Sequence, residues 1–233
     1  KSFTEDGRLH ATYNFDLLEW NGLTVDEVKR VINKAVEIFN NTGKLCFAFS
    51  NHDVPRSLSR QLAPLNIKNE NGEALQLLLL KLESCLIGST CIFQGEELAY
   101  EDVKDIPVEA MKDPWGIEFA PNFPGRDTCR TPMVWDANLA NGGFSDANKT
   151  WLPIGKKHLK KAALEKVKND GSTYNKFAQF LSWRKKQAAF MQANEMTQLS
   201  GSDRQIIFDR ISDQQTLRCC FDFDDLTASF EEI

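Results

Sequence analysis

The feature that most constrains this chain is a short apolar run followed by an amphipathic stretch, a unit that recurs through its first part. Residues 12–18 (TYNFDLL) read as a β-run. Within 24–39, Val25, Val28, Val31, Ile32, Ala35 and Ile38 fall at spacings of three and four, which is one face of a helix. Thr24 stands as its N-cap, with Glu27 three residues on as the capping-box partner. Residues 45–49 (LCFAF) form a second, buried strand, followed by a polar loop and a helix over 72–87. Residues 89–93 (STCIF) form a third strand that opens onto the loop QGEELAY. Alternation at this spacing predicts parallel strands with helical crossovers, an α/β architecture.

Residues 101–157 lack periodicity and are rich in Pro, Gly, Asn, Asp and Trp. Ordered loops of this length are uncommon and usually functional. A helix resumes near 159, breaks at Asp170-Gly171-Ser172 and restarts over 174–189. Two β-runs, 204–211 (RQIIFDRI) and 216–223 (TLRCCFDF), flank a polar SDQQ turn. Two strands cannot bury a core alone, so they should pack on the preceding helices or open a small β-domain. The main boundary is expected within 191–196, which divides the chain into 1–192 and 193–233.

Composition narrows the function classes. The 233 residues are 42% hydrophobic without an apolar run of membrane-spanning length, so no membrane partner is expected. Net charge is −5, and the one basic cluster, Lys156, Lys157, Lys160 and Lys161, reads as a solvated helix face. Nucleic-acid binding would need a basic stripe that is absent. Six cysteines form no CxxC pair; Cys46, Cys85 and Cys91 sit in apolar runs as small hydrophobes. A reduced, cytoplasmic chain is expected, with a disulfide left open. The opening KSFTEDGRLH has no apolar h-region, so no signal peptide is read there. His10 and His158 stand apart from acidic or cysteine clusters, so neither a metal nor a cofactor is expected. Nucleotide loops and a GxSxG elbow are absent.

Three polar stretches can carry chemistry. Ser50-Asn51-His52-Asp53-Val54-Pro55-Arg56 follows a buried strand directly. The C-terminal end of a parallel strand is where α/β enzymes place catalytic groups, though a capping Asp beside a loop His is the plainer alternative. Gln94-Gly95-Glu96-Glu97 follows the next strand. Its adjacent carboxylates can bind a cation, act as acid and base, or brace loops, and bracing is the favoured reading. The third stretch, GRDTCRTPMVWD from Gly125 to Asp136, sets Arg126 and Arg130 four apart among aspartates and a tryptophan. It suits forked hydrogen bonds to a polar ligand with an aromatic face for a sugar ring, or a rigid Arg-Asp knot.

Together, LCFAFSNHDVPR, FQGEEL, and GRDTCRTPMVWD with GGFS and WLPIG downstream resemble the α-amylase family of glycoside hydrolases, in its α-glucosidase and oligo-1,6-glucosidase branch. The resemblance runs through most of the chain. It implies the last part of a (β/α)8 barrel, with strand six at HATYNFDLLEW, strand seven at LCFAF and strand eight at STCIF, followed by the start of a small all-β C-terminal domain.

The resemblance also implies residue roles. Asp53 matches the family's transition-state-stabilising carboxylate and His52 its sugar-contacting neighbour. Arg126 matches the arginine that closes the pocket around the non-reducing glucose, with Arg56 and Arg130 as candidates for pocket or loop-bracing roles. The substrate implied is an oligosaccharide or α-glucoside, cleaved with retention by a nucleophilic Asp and an acid/base Glu. Those two carboxylates belong to the part of the barrel before strand six, so this chain alone is expected to be inactive and to need that N-terminal part as a partner. An open barrel edge and interior should also favour association. The alternatives are a non-catalytic interaction relative, and a transglycosylase or isomerase such as sucrose isomerase or trehalose synthase.

Overall fold

A computed structural model describes Thr4 and residues 8–40, 45–192 and 195–233. Strands β1 (Thr12–Tyr13), helix α1 (Val25–Asn40) and β2 (Leu45–Phe47) come first. Helices α2 (Ser57–Gln61) and α3 (Gly72–Cys85) then lead to β3 (Ser89–Thr90). The three strands form one parallel sheet in the order β1-β2-β3, with Cys46 facing Tyr13 on one side and Ser89 on the other. Parallel neighbours require crossovers, and α1 and α3 supply them. The ladders are shorter than the apolar runs, ending at Phe47 and Thr90, although Cys91 N still donates to Phe47 O at 2.8 Å.

Helix α1 starts where its capping box expects. Thr24 N donates to Glu27 Oε2 at 2.8 Å, and Glu27 N returns a bond to Thr24 Oγ1 at 3.3 Å. Val25, Val28, Val31, Ile32, Ala35 and Val36 form its buried face, with Ile38 half-buried. Helix α3 buries Leu75, Leu78, Leu79, Leu80 and Leu82 because it is covered on several sides, by α2, by α7 (Thr173–Arg184) and by two strands of the second sheet.

Residues 101–157 are ordered by single turns and one short helix, α4 (Pro114–Phe119). The helix expected to resume near 159 is divided into α5 (Lys156–Leu159) and α6 (Ala163–Lys168). The break before α7 falls where Asp170-Gly171-Ser172 predicts it, and Ser172 Oγ accepts Asn175 N at 3.1 Å as the cap. α8 (Ala188–Met191) follows. The lysine cluster is not one solvated face: Lys161 Nζ donates to Ala99 O at 2.5 Å, whereas Lys157 pairs with Glu101 at 2.7 Å. Both side chains reach the 99–101 segment, Lys161 from a largely buried position and Lys157 from an exposed one.

The second sheet is an antiparallel meander, β4 (Glu195–Met196), β5 (Gln205–Ile211), β6 (Thr216–Asp222) and β7 (Thr227–Glu232). β7 escapes a reading by apolar alternation because most of it is exposed. Ile206, Phe208, Leu217, Cys219 and Phe221 share one continuous core with the leucines of α3. An aromatic seam joins the two parts: Phe230 lies 4.8 Å from Trp183 and 5.5 Å from Phe180, centroid to centroid. Arg210, 3% exposed, crosses the same seam and donates to Cys85 O at 2.6 Å. The expected boundary at 192/193 abuts residues 193–194, which lie outside the described residues.

All six cysteines are free thiols. Cys85 is buried as expected, but Cys91 is exposed, although its backbone N still donates to Phe47 O at 2.8 Å. Among the described residues no helix is long and apolar enough to cross a membrane.

Candidate active site

The site begins where β2 delivers its chain out of the core. Phe47, Ala48, Phe49 and Ser50 are buried, and the next residues emerge as a turn in which Asp53 N donates to Asn51 Oδ1 at 2.8 Å. That turn presents the carboxylate of Asp53, 48% exposed, beside the His52 imidazole, with Nε2 3.4 Å from Asp53 Oδ2.

Two arginines from the far loop converge on it. Arg130 NH2 donates to Asp53 Oδ1 at 2.8 Å while its Nε donates to the His52 carbonyl at 2.6 Å. Arg126 NH1 reaches the same Oδ1 at 3.2 Å. Both guanidinium groups therefore occupy one carboxylate oxygen, and Oδ2 is the one turned toward His52. A fixed carboxylate with a face toward solvent, flanked by an imidazole and two guanidinium groups, is equipped to take hydroxyl hydrogen bonds and to stabilise positive charge.

The loop carrying the arginines is built around two aspartates. Asp127 Oδ2 accepts Lys112 N at 2.5 Å and Asp113 N at 2.9 Å, pinning the segment ahead of α4. Asp113, whose side chain is fully covered, accepts Arg126 Nε at 3.1 Å and NH2 at 2.8 Å. Those hydrogen bonds from Arg126 hold its carboxyl down at about 2 and raise the guanidinium in turn. The loop closes this tightly because Gly125 takes φ +65° and lies against Gly116.

Arg56 serves a different purpose. It is 1% exposed, with NH1 donating to Gln94 O at 2.6 Å and NH2 to Cys129 O at 3.0 Å. It ties the loops after β2 and β3 to the arginine loop. Gly95, at φ +91°, leaves room for it: a Cβ there would sit 3.0 Å from Arg56 NH1 and 2.6 Å from the Tyr100 ring. Among the described residues, Glu96 ties the loops together through hydrogen bonds rather than ion pairs, while Glu97 closes its own turn. Glu96 Oε1 accepts Ser50 Oγ and Ser57 Oγ, both at 2.7 Å, and Glu97 Oε2 accepts Gly95 N at 2.7 Å.

The sequence profile of the α-amylase catalytic domain matches residues 8–193. The chain belongs to the α-amylase family. This α-amylase-family chain is 36% identical over 98% of its length to a probable α-glucosidase of Rhizobium meliloti, covering 40% of that protein. It is 24% identical to an oligo-1,6-glucosidase of Halalkalibacterium halodurans, covering 90% of this chain and 39% of the relative. A solved α-glucosyl transfer enzyme superposes with TM-score 0.80 at 31% identity, over 95% of this chain and 39% of that one. A trehalose-6-phosphate hydrolase of Bacillus licheniformis shares the fold, with TM-score 0.78 at 19% identity over 93% of this chain and 43% of that one. The chain thus spans about 40% of the length of these relatives.

The structure brings His52, Asp53, Arg126 and Arg130 together, across sequence separations of up to 78 residues. Asp113 escapes sequence reasoning. One aspartate among 33 acidic residues has no spacing signal; the only local hint is its place before Pro114 at the start of a turn.

Proposed function

We propose that this chain supplies strands six to eight of the catalytic (β/α)8 barrel, over 1–192, and the first strands of the C-terminal β-domain, over 193–233, of a retaining exo-α-glucosidase. Its substrate is an oligosaccharide or α-glucoside with a terminal α-linked glucose. The observation that carries this reading is the fixed Asp53 carboxylate, held by Arg126 and Arg130 at the C-terminal end of a parallel strand.

In this reading Asp53 Oδ2 and His52 engage hydroxyls of the bound glucosyl ring, and the carboxylate stabilises the oxocarbenium-like transition state. Arg126 and Arg130 keep Asp53 in place and narrow the pocket around the ring. Arg56 acts from beneath, as a brace. The nucleophile and the acid/base come from the N-terminal part of the barrel, which is the partner this chain requires.

The test is p-nitrophenol release from p-nitrophenyl α-glucoside. The isolated chain should show no turnover. In the full-length enzyme that carries this segment, Asp53→Ala should lower kcat by about a hundredfold or more, the scale of losing one electrostatic stabiliser. Turnover by the isolated chain, or activity indifferent to Asp53→Ala, would refute the assignment.

A further inference from the structure

Arg126 does not meet Asp53 by chance of a flexible side chain. Its backbone N donates to Asp113 Oδ2 at 2.6 Å, and its Nε and NH2 form a fork on the two oxygens of that carboxylate. The face of the guanidinium is covered in turn by Trp115, with Arg126 Cζ 4.9 Å from the ring centroid. NH1 is the nitrogen that remains, and it points at Asp53 Oδ1.

A planar guanidinium with two nitrogens committed and one face stacked has few orientations left. An arginine at this point without those partners would sample several rotamers and would meet Asp53 in only some of them. Asp113 is anchored by its backbone N on Asp127 Oδ2, and it stands ionised far into acid, so the clamp is both fixed and permanently charged.

We infer that Asp113 and Trp115 are positioning residues that hold the Arg126 guanidinium edge-on to Asp53, so that the transition-state carboxylate is oriented before substrate arrives. Neither touches Asp53; both act through Arg126. The inference rests on the glucosidase reading above and adds to it a second tier of residues. Preorganisation of this kind affects the chemical step more than ground-state binding, so its loss falls on kcat.

The test is a pair of double-mutant cycles in the full-length enzyme, reading kcat, KM and melting temperature with p-nitrophenyl α-glucoside. Asp113→Asn keeps the side-chain shape but removes the charge and one acceptor. It should lower kcat by about tenfold, with less change in KM, and add less than about twofold to the loss caused by Arg126→Ala. Trp115→Leu, at a half-exposed position, should lower kcat about threefold and be equally silent in the Arg126→Ala background. A merely structural role would lower the melting temperature but leave losses that add in full. Full additivity, or unchanged kcat in both variants, overturns the inference. If Asp113→Asn fails to fold, the Trp115→Leu cycle decides. Asp53→Ala separates the two levels: activity surviving it sinks the glucosidase reading, whereas activity abolished by it alongside neutral Asp113 and Trp115 variants sinks the positioning role alone.

Discussion

The Ser57 hydroxyl donates to Glu96 Oε1 at 2.7 Å, joining the start of α2 to the loop after β3 beneath the candidate site. The same carboxylate takes Ser50 Oγ on that oxygen and Phe93 N, at 2.9 Å, on the other. Glu96 is 1% exposed, so water cannot replace it. Truncation leaves buried donors unsatisfied, at about 1–3 kcal/mol for each group so stranded. Glu96→Ala is therefore expected to destabilise the protein by about 3 kcal/mol or more in urea unfolding. A loss below about 0.5 kcal/mol, the range of an ordinary surface change, would show that this is not a brace.

Arg130 makes two directed bonds that a lysine cannot reproduce, one to the His52 carbonyl and one to Asp53 Oδ1. An ammonium is a point charge without the fork. On the proposed glucosidase reading, Arg130→Lys in an enzyme that carries this segment should lower kcat/KM on p-nitrophenyl α-glucoside by about tenfold, equivalent to ~1.4 kcal/mol. Wild-type kinetics in that variant would mean that charge alone suffices.

At Gly125 an added Cβ would lie 2.6 Å from Asp113 Oδ2 and 2.6 Å from Gly116 N, at a φ of +65°. Left-handed backbone alone costs a residue with a Cβ about 1–2 kcal/mol, and the overlap with main chain adds to it. Gly125→Ala should lower the melting temperature by several degrees and, on the proposed glucosidase reading, also reduce turnover of an enzyme that carries this segment, because the same loop carries Arg126. An unchanged melting temperature would contradict this account of the loop.

His158 predicts a pH dependence. Its ring stacks on Tyr100 at 3.9 Å and its Nε2 bonds the Glu101 carbonyl at 2.8 Å. Burial pushes the imidazole down to about 4 from an ordinary 6.5. Between those values the unfolded chain binds the proton and the folded one does not. The stability this group contributes is therefore complete above about pH 6.5 and declines as pH falls toward 4, by about 3 kcal/mol in all. His158→Phe, which keeps a ring against Tyr100, should unfold with a visibly shallower loss between pH 6.5 and 4 than the wild type. Parallel profiles in urea titrations across that range would exclude His158 as the cause.

Read alone, the sequence determines the elements whose signals are local. The capping box of Thr24 and Glu27, the three-and-four spacing of α1, the break at Asp170-Gly171-Ser172 and the meander strands β5 and β6 all follow from near neighbours. The motifs around His52, Asp53 and Arg126 were legible for a different reason, since each is a compact string with a family counterpart. Only the tertiary structure decided where each arginine sits. Arg56 and Arg130 look alike in sequence, yet one is sealed against the loop carbonyls of Gln94 and Cys129 and the other reaches Asp53, because burial and long-range loop closure set the position. Asp113 shows the same limit most clearly. Its chemistry comes from a guanidinium thirteen residues away in a loop folded back by Gly125, and no local pattern encodes a contact that exists only once that loop has closed.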